Sequence, residues 1–238
     1  MCTQIDRFIT STIESSISFQ YKMQGVYSVR GQCLGYEILI DSKRSRETSL
    51  DPNFHQDLMF SSSANYLLER IKVAIEHGTF KCDWSGKHMF LNLERSNLCD
   101  ITLLSGLIEL NNYLLEKQIR LVVEITERNV CENCVRIIEG LILLKQNGVV
   151  MAVDDYDIYK SDFRANELEM KLYEFIKIQS PSCEREFDAL EAFVQIRPEK
   201  IIMEHVESTS TFKMLINLNK IFWGYQGYWF DKGAAIDI

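Results

Sequence analysis

Proline is scarce in this chain, with three in 238 residues, and glycine numbers only 11. That composition excludes collagen-like, proline-rich and low-complexity architectures. Long apolar runs are also missing: none approaches the ~18 residues that a membrane-crossing helix needs. The first 18 residues, Met1 to Ser18, show neither a basic n-region nor an apolar h-region. Positive charge is in deficit, because 26 Lys and Arg against 34 Asp and Glu leave a formal charge of −8. Broad attraction to nucleic acid or to an anionic membrane needs a basic patch, so neither is an expected partner. A cysteine framework is absent too. The seven cysteines are odd in number and scattered, which suits a reducing compartment and a cytoplasmic location. Only Cys131-Glu-Asn-Cys134 has ligand-like spacing, and without a second such pair these read as packing thiols rather than a zinc site.

What is present is 46% hydrophobic residues in a length that one α/β barrel commonly fills. Short β-branched runs alternate with stretches of helical period, the signature of a parallel sheet with crossover helices. Strands are expected at Leu34 to Leu39, Met89 to Leu93, Ile119 to Ile125, Val149 to Val153, Phe175 to Ile178 and Lys200 to Met203. Helices are expected at Gln56 to Glu76, Leu103 to Glu116, Val130 to Lys145 and Phe187 to Ile196. In the third of these, Val130, Cys134, Ile137, Ile138, Leu141 and Leu144 share one face, and Gly148 ends the helix. The fold class that follows is α/β, a (β/α)₈ TIM-like barrel.

The informative feature is what lies at the strand ends. Glu37 sits in the first expected strand, Asn92 closes the second, Glu124 and Glu127 the third, Asp154 and Asp155 the fourth, and Glu204 the last. In a parallel barrel these ends open on one face, so residues far apart in sequence converge there. One acid at a strand end is commonly a solvated loop residue or a helix cap; recurrence over five strands argues for a site. Gathered carboxylates repel one another and take up protons unless cations neutralise them. Oxygen ligands without Cys or His suit Mg²⁺ or Mn²⁺, and two such ions can clamp the attacking and leaving oxygens of a displacement at phosphorus. Phosphoester hydrolysis is the chemistry indicated. Lys177, turned inward within an apolar strand, reads either as a paired core lysine or as a group that orients a water.

These residues also carry a family resemblance. From about Phe19 to Phe230 the chain resembles the EAL domain. Glu37-Ile38-Leu39, preceded by Gly35, stands for the signature triplet, followed by Asn92-Leu93, Glu124-Ile125-Thr126-Glu127, Asp154-Asp155, Ile176-Lys177-Ile178, Glu204-His205-Val206-Glu207-Ser208 and Gln226-Gly227-Tyr228-Trp229-Phe230. The resemblance implies an EAL-type barrel over 19–238 after a lead-in at 1–18, and a cyclic-di-GMP phosphodiesterase that opens its substrate to linear pGpG with two Mg²⁺ or Mn²⁺ ions. By the same resemblance Glu37, Asn92, Glu124, Asp154, Asp155 and Glu204 hold the metals, and Lys177 and Glu204 act on the water. Glu127 steadies the loop after the double aspartate, Gln24 and Gln226 lie near the nucleotide, and Glu207 supports them.

The departures open an alternative. The glycine-rich stretch expected after Asp154-Asp155 is Tyr156-Asp157-Ile158-Tyr159, and Asp154 to Lys177 spans 23 positions, longer than the family spacing. That loop bears on catalysis and on homodimer formation in the family. The arginine expected after the triplet is Asp41, with Lys43 and Arg44 the nearest replacement cations; Gln179, His205 and Gly233 stand where the family has Asp, Gly and Pro. The alternative is a catalytically degenerate EAL-like regulator that binds a protein such as a transcription factor.

Overall fold

A computed structural model describes residues 20–41, 43–45, 61–80, 82–128, 134–160, 162–218, 222–236 and 238. The lead-in 1–18, the start of the expected helix at 56–60, and Val130 and Cys131 lie outside the described residues.

Eight strands close a barrel: β1 (Tyr21–Tyr27), β2 (Cys33–Ile40), β3 (His88–Leu93), β4 (Arg120–Ile125), β5 (Val150–Val153), β6 (Phe175–Gln179), β7 (Lys200–Glu204) and β8 (Gly224–Tyr225). Strands β2 to β8 pair in parallel and in sequence order, while β1 closes the ring antiparallel to both β2 and β8. The first expected strand is thus the second, and the strand ahead of it runs the other way. Its direction follows from the connection: residues 28–32 form a hairpin turn with Gly31 at φ +77, too short for the crossover that a parallel neighbour requires. A ninth strand, β9 (Ala234–Ile236), pairs with the outer end of β1. Gly233 precedes it at φ +82, a value closed to the proline that the family pattern has there.

Helices α1 (Ser61–His77), α2 (Ile101–Glu116), α3 (Val135–Gln146), α4 (Ala165–Glu169), α5 (Glu184–Ile196) and α6 (Thr209–Ile216) follow their strands in turn. Asp100 caps α2 by accepting from the amides of Thr102 and Leu103. In α3 the buried face is Ile137, Gly140, Leu141 and Leu144, Cys134 precedes the first turn, and Gly148 at φ +73 follows the last. Among the described residues no helix is long and apolar enough to cross a membrane.

Strand alternation splits the core in two. Outward residues such as Leu91, Val123, Val153, Ile176 and Met203 pack against Leu107, Leu141 and Leu190 of the helices. Inward residues Val26, Phe90, Val122, Ala152, Phe175 and Ile202 fill the barrel, with Trp223 against Phe175 at 4.7 Å between ring centres. Two residues further along the same inward faces stand Gln24, Asn92, Glu124, Asp154, Lys177 and Glu204. The apolar plug is therefore the floor of a polar layer.

Candidate active site

That polar layer closes around Lys177. Its Nζ lies 3.0 Å from Glu37 Oε2, 2.9 Å from Glu124 Oε1, 3.1 Å from Asp154 Oδ1 and 2.9 Å from Glu204 Oε1. The lysine is 1% exposed and Glu124 is fully buried. Asn92 Nδ2 donates to Glu37 Oε1 at 2.6 Å, and Gln226 Nε2 donates to Glu37 Oε2 at 2.7 Å. Gln226 also reaches Gln24 Oε1 at 3.2 Å, which joins the antiparallel strand to the cluster. Each motif glycine has a steric reason. A Cβ on Gly35 would stand 2.2 Å from the His88 carbonyl oxygen, and one on Gly227, at φ +152, would stand 2.4 Å from Val206 backbone atoms.

Four carboxylates facing one ammonium would keep three uncompensated negative charges if all were ionised. The resulting pKa shifts divide the acids. Burial, and then the neighbouring Glu37 carboxylate, hold Glu124 well above the ordinary carboxylate range. Burial pushes Glu204 up to about 8 against the pull of Lys177, and it raises Asp154 likewise. For Glu37 the cost of burial is outweighed by Lys177 and by the Gln226 and Asn92 donors, so its pKa falls. Burial opposes the charge on Lys177, but Asp154, Glu124, Glu204 and Glu37 together raise its pKa well above normal. Lys177 is thus a fixed cation, and the acids hold the exchangeable protons.

Asp155 sits beside this cluster at φ +45, its Oδ1 accepting from Gln179 Nε2 at 3.2 Å. Ligand oxygens of Glu127, Asp154 and Asp155 all fall within 4.8 Å of one another. Glu204 Oε2 is buried without a hydrogen-bond donor. An all-oxygen donor set with excess negative charge and an unspent buried oxygen fits a hard divalent cation. Glu207 lines the cleft, exposed, and makes no ion pair among the described residues.

The cleft above the cluster has a volume of about 540 Å³, within the range of small-ligand sites. Lys22 and Arg128 line it and were not among the expected site residues. Lys22 precedes Gln24 by two residues on an inward strand face, a signal available from period-2 spacing. Arg128 follows Glu127 and pairs with Glu94 at 2.9 Å. Asp41 is not on the cleft wall; its Oδ1 accepts from the Arg44 amide at 3.1 Å, and Arg44 Nη2 turns to Gln20 Oε1. His205 does line the cleft, at φ +55, in the left-handed conformation that suits the family's glycine.

No family model matches the chain, and no curated protein matches it. Solved structures do. The EAL domain of Mycobacterium smegmatis DcpA superposes with a TM-score of 0.67 at 16% identity, over 91% of this chain and 93% of that one. Klebsiella pneumoniae BlrP1, in a manganese and cyclic-di-GMP complex, gives 0.70 at 17% identity, over 91% of this chain and 56% of that one. The EAL enzyme Bd1971 in its cGMP-bound form gives 0.64 at 15% identity over 92% of this chain. The chain spans 62% of the Bd1971 chain, less than two thirds of its length. The barrel is therefore that of EAL-domain structures, including the closed ring of eight strands with intervening helices.

Proposed function

We propose that this chain is a divergent EAL domain and that it hydrolyses cyclic di-GMP to linear pGpG with the help of two Mg²⁺ or Mn²⁺ ions. One observation carries the reading: carboxylates from β2, β4, β7 and the end of β5 meet one buried lysine at the open end of the barrel, with negative charge in excess. Glu37, Asn92, Glu124, Asp154, Asp155 and Glu204 would hold the ions, with Glu127 at the edge of the set. Bound there, divalent ions lower the pKa of water and neutralise charge on the phosphodiester.

The chain's own groups supply the rest. Lys177 keeps its proton, so it orients a water and stabilises negative charge rather than accepting a proton. Glu204 is the group assigned to accept one, because its buried Oε2 has no hydrogen-bond donor and stands open at the cluster. Attack of the water oxygen on phosphorus would break one P–O(ribose) bond and open the ring, one proton of the water passing to Glu204 and a proton returning from the acid cluster or solvent to the ribose oxygen that leaves as a hydroxyl. Gln24, Gln226 and Glu207 line the cleft where the nucleotide would lie, and Lys22 and Arg128 offer cations to its phosphates.

The test is incubation of the purified protein with cyclic di-GMP and Mg²⁺ or Mn²⁺, followed by chromatography. Appearance of pGpG that is abolished by chelator supports the reading; intact substrate with either ion overturns it. In the latter case the degenerate regulator becomes the better account, and a protein partner or a homodimer interface outside the cleft is what to seek.

A further inference from the structure

The turn that carries Asp154 and Asp155 lacks the family's glycines, yet it is tightly held. Past Asp155, no described residue of the turn, 156–160, adopts a left-handed φ. Asp157 Oδ1 instead accepts from the amides of Tyr159 and Lys160, folding the segment on itself. Beneath it lies Arg164, fully buried. Its Nη1 donates to the carbonyl oxygens of Asp154 at 2.7 Å and Ile125 at 3.2 Å, and its Nη2 to that of Asp155 at 3.3 Å. The other edge of the guanidinium grips Asp162, with Nε to Oδ1 at 3.0 Å and Nη2 to Oδ2 at 2.8 Å. Asp162 in turn accepts from the amides of Arg164 and Asp157, at 2.8 and 3.2 Å.

One side chain thus ties the last carbonyl of β4 and the two carbonyls just past β5 to the far end of the loop. It is itself braced. The guanidinium groups of Arg164 and Arg95 both lie over the Phe163 ring, at 5.5 and 5.2 Å, and Arg95 forks onto Glu167, which also accepts from Tyr173 Oη at 2.5 Å. Only arginine matches this arrangement, since five donors in a rigid plane meet two carboxylate oxygens and three carbonyls, whereas an ammonium offers three from one point.

We infer that Arg164, clamped by Asp162, is the positioning residue that sets Asp154 and Asp155 in ligand geometry. The inference rests on the metal-site reading above. Arg164 touches neither reacting atoms nor, by its place under the turn, the substrate; it acts through the two aspartates. Outer partners that orient metal ligands typically govern affinity or activity by about 10–100-fold.

The experiment compares the wild type with Arg164→Lys, which keeps the charge and loses the fork, and with Asp162→Asn. Mn²⁺ affinity is measured by titration calorimetry, and amide hydrogen exchange is followed across 154–160. Expected are Mn²⁺ binding weakened about tenfold or more, faster exchange confined to the turn, and a kcat that falls while KM for cyclic di-GMP stays within about twofold. Guanidinium ion added to Arg164→Ala should restore part of the Mn²⁺ affinity, which a loss of general stability would not allow. Wild-type affinity and wild-type turn protection in Arg164→Lys overturn the inference. Should Arg164→Lys fail to fold, Asp162→Asn, which leaves the three carbonyl contacts in place, decides by the same two readings. If the wild type itself takes up no Mn²⁺, the proposed function falls; unchanged exchange in the variants then overturns the Arg164 role separately, and faster exchange confined to the turn upholds it.

Discussion

Replacing Lys177 with methionine removes, among the described residues, the one ammonium that meets all four carboxylates of the cluster, while keeping most of the side chain's volume. Deleting one partner of a buried ion pair costs roughly 3–5 kcal/mol, because it strands the other charge in a poor solvent. At this chain length such a loss lowers the melting temperature by on the order of 10 °C. The loss must depend on pH. With Lys177 in place, burial already holds Glu204 at about 8 and Glu124 well above its ordinary value; without it, all four acids move up. Groups with raised carboxyl pKa values bind more protons folded than unfolded, so stability falls as pH rises. Lys177→Met should therefore be nearly as stable as the wild type near pH 5 and deeply destabilised by about pH 8, where the unfolded chain's carboxylates are ionised.

The assay is thermal unfolding by circular dichroism at those two pH values, with and without Mn²⁺. A divalent ion supplies the missing positive charge, so Mn²⁺ should restore more stability to the variant than it adds to the wild type at pH 8. Hydrolysis should be lost at both pH values. Equal destabilisation at pH 5 and pH 8, together with no response to Mn²⁺, would refute the view that Lys177 offsets repulsion among the acids.

Glu37→Ala should abolish hydrolysis and lower Mn²⁺ affinity by more than the ~10–100-fold typical of outer partners, measured by calorimetry; near-normal affinity would remove Glu37 from the ligand set. Mn²⁺ binding to the wild type should tighten as pH rises towards the value of about 8 set for Glu204 by burial, because below it a proton competes for the carboxylate. Calorimetry in buffers of different ionisation enthalpy should then detect proton release, and a flat pH profile without release would contradict it. Asp41→Arg should destabilise the fold by roughly 1 kcal/mol through loss of the cap on the Arg44 amide, with Mn²⁺ affinity unchanged. A large change in metal binding would mean that Asp41 reaches the site.

Much of the barrel was legible because β2 to β7 obey simple rules. Val122, Val123 and Ile125 in β4, or Ile201, Ile202 and Met203 in β7, are apolar on both faces, and that is how strands covered by helices outside and a plug inside must read. An acid or amide at the end of such a run then breaks the pattern visibly, which is why Asn92, Glu124, Asp154 and Glu204 stood out and do converge. β1 was hidden for the opposite reason. Its inward face holds Lys22 and Gln24 above Val26, and Gly25 interrupts its outward face, so it lacks the all-apolar run of the other strands and shows only a short alternation over Tyr21 to Gln24. β8 is two residues long and its position follows only from ring closure. Arg164 gave no local signal, since its partners are two carboxyl oxygens nearby and three carbonyls supplied by tertiary structure.

The polar layer is costly to keep. Buried ion clusters are often no more stabilising than apolar groups of the same shape, and Glu124 and Glu204 are held in protonation states far from their ordinary ones. Nor does the barrel need them as filler, because Phe90, Phe175, Ile202 and Trp223 already plug its interior one layer below. A chain that acted only through an outer surface would gain stability from leucine or methionine at these inward positions. Instead the open end of the barrel carries carboxylates from four strands, a lysine that holds them together, and two amides, Asn92 and Gln226, that fix the orientation of Glu37. Arg164 adds a buried strut beneath two of the acids in a loop that lacks the usual glycines. Each of these groups costs folding energy or constrains the backbone, and what they share is the gathering of carboxylate oxygens at one end of the barrel. That common geometry is the physical reason to favour a metal-assisted hydrolase over a surface-acting regulator.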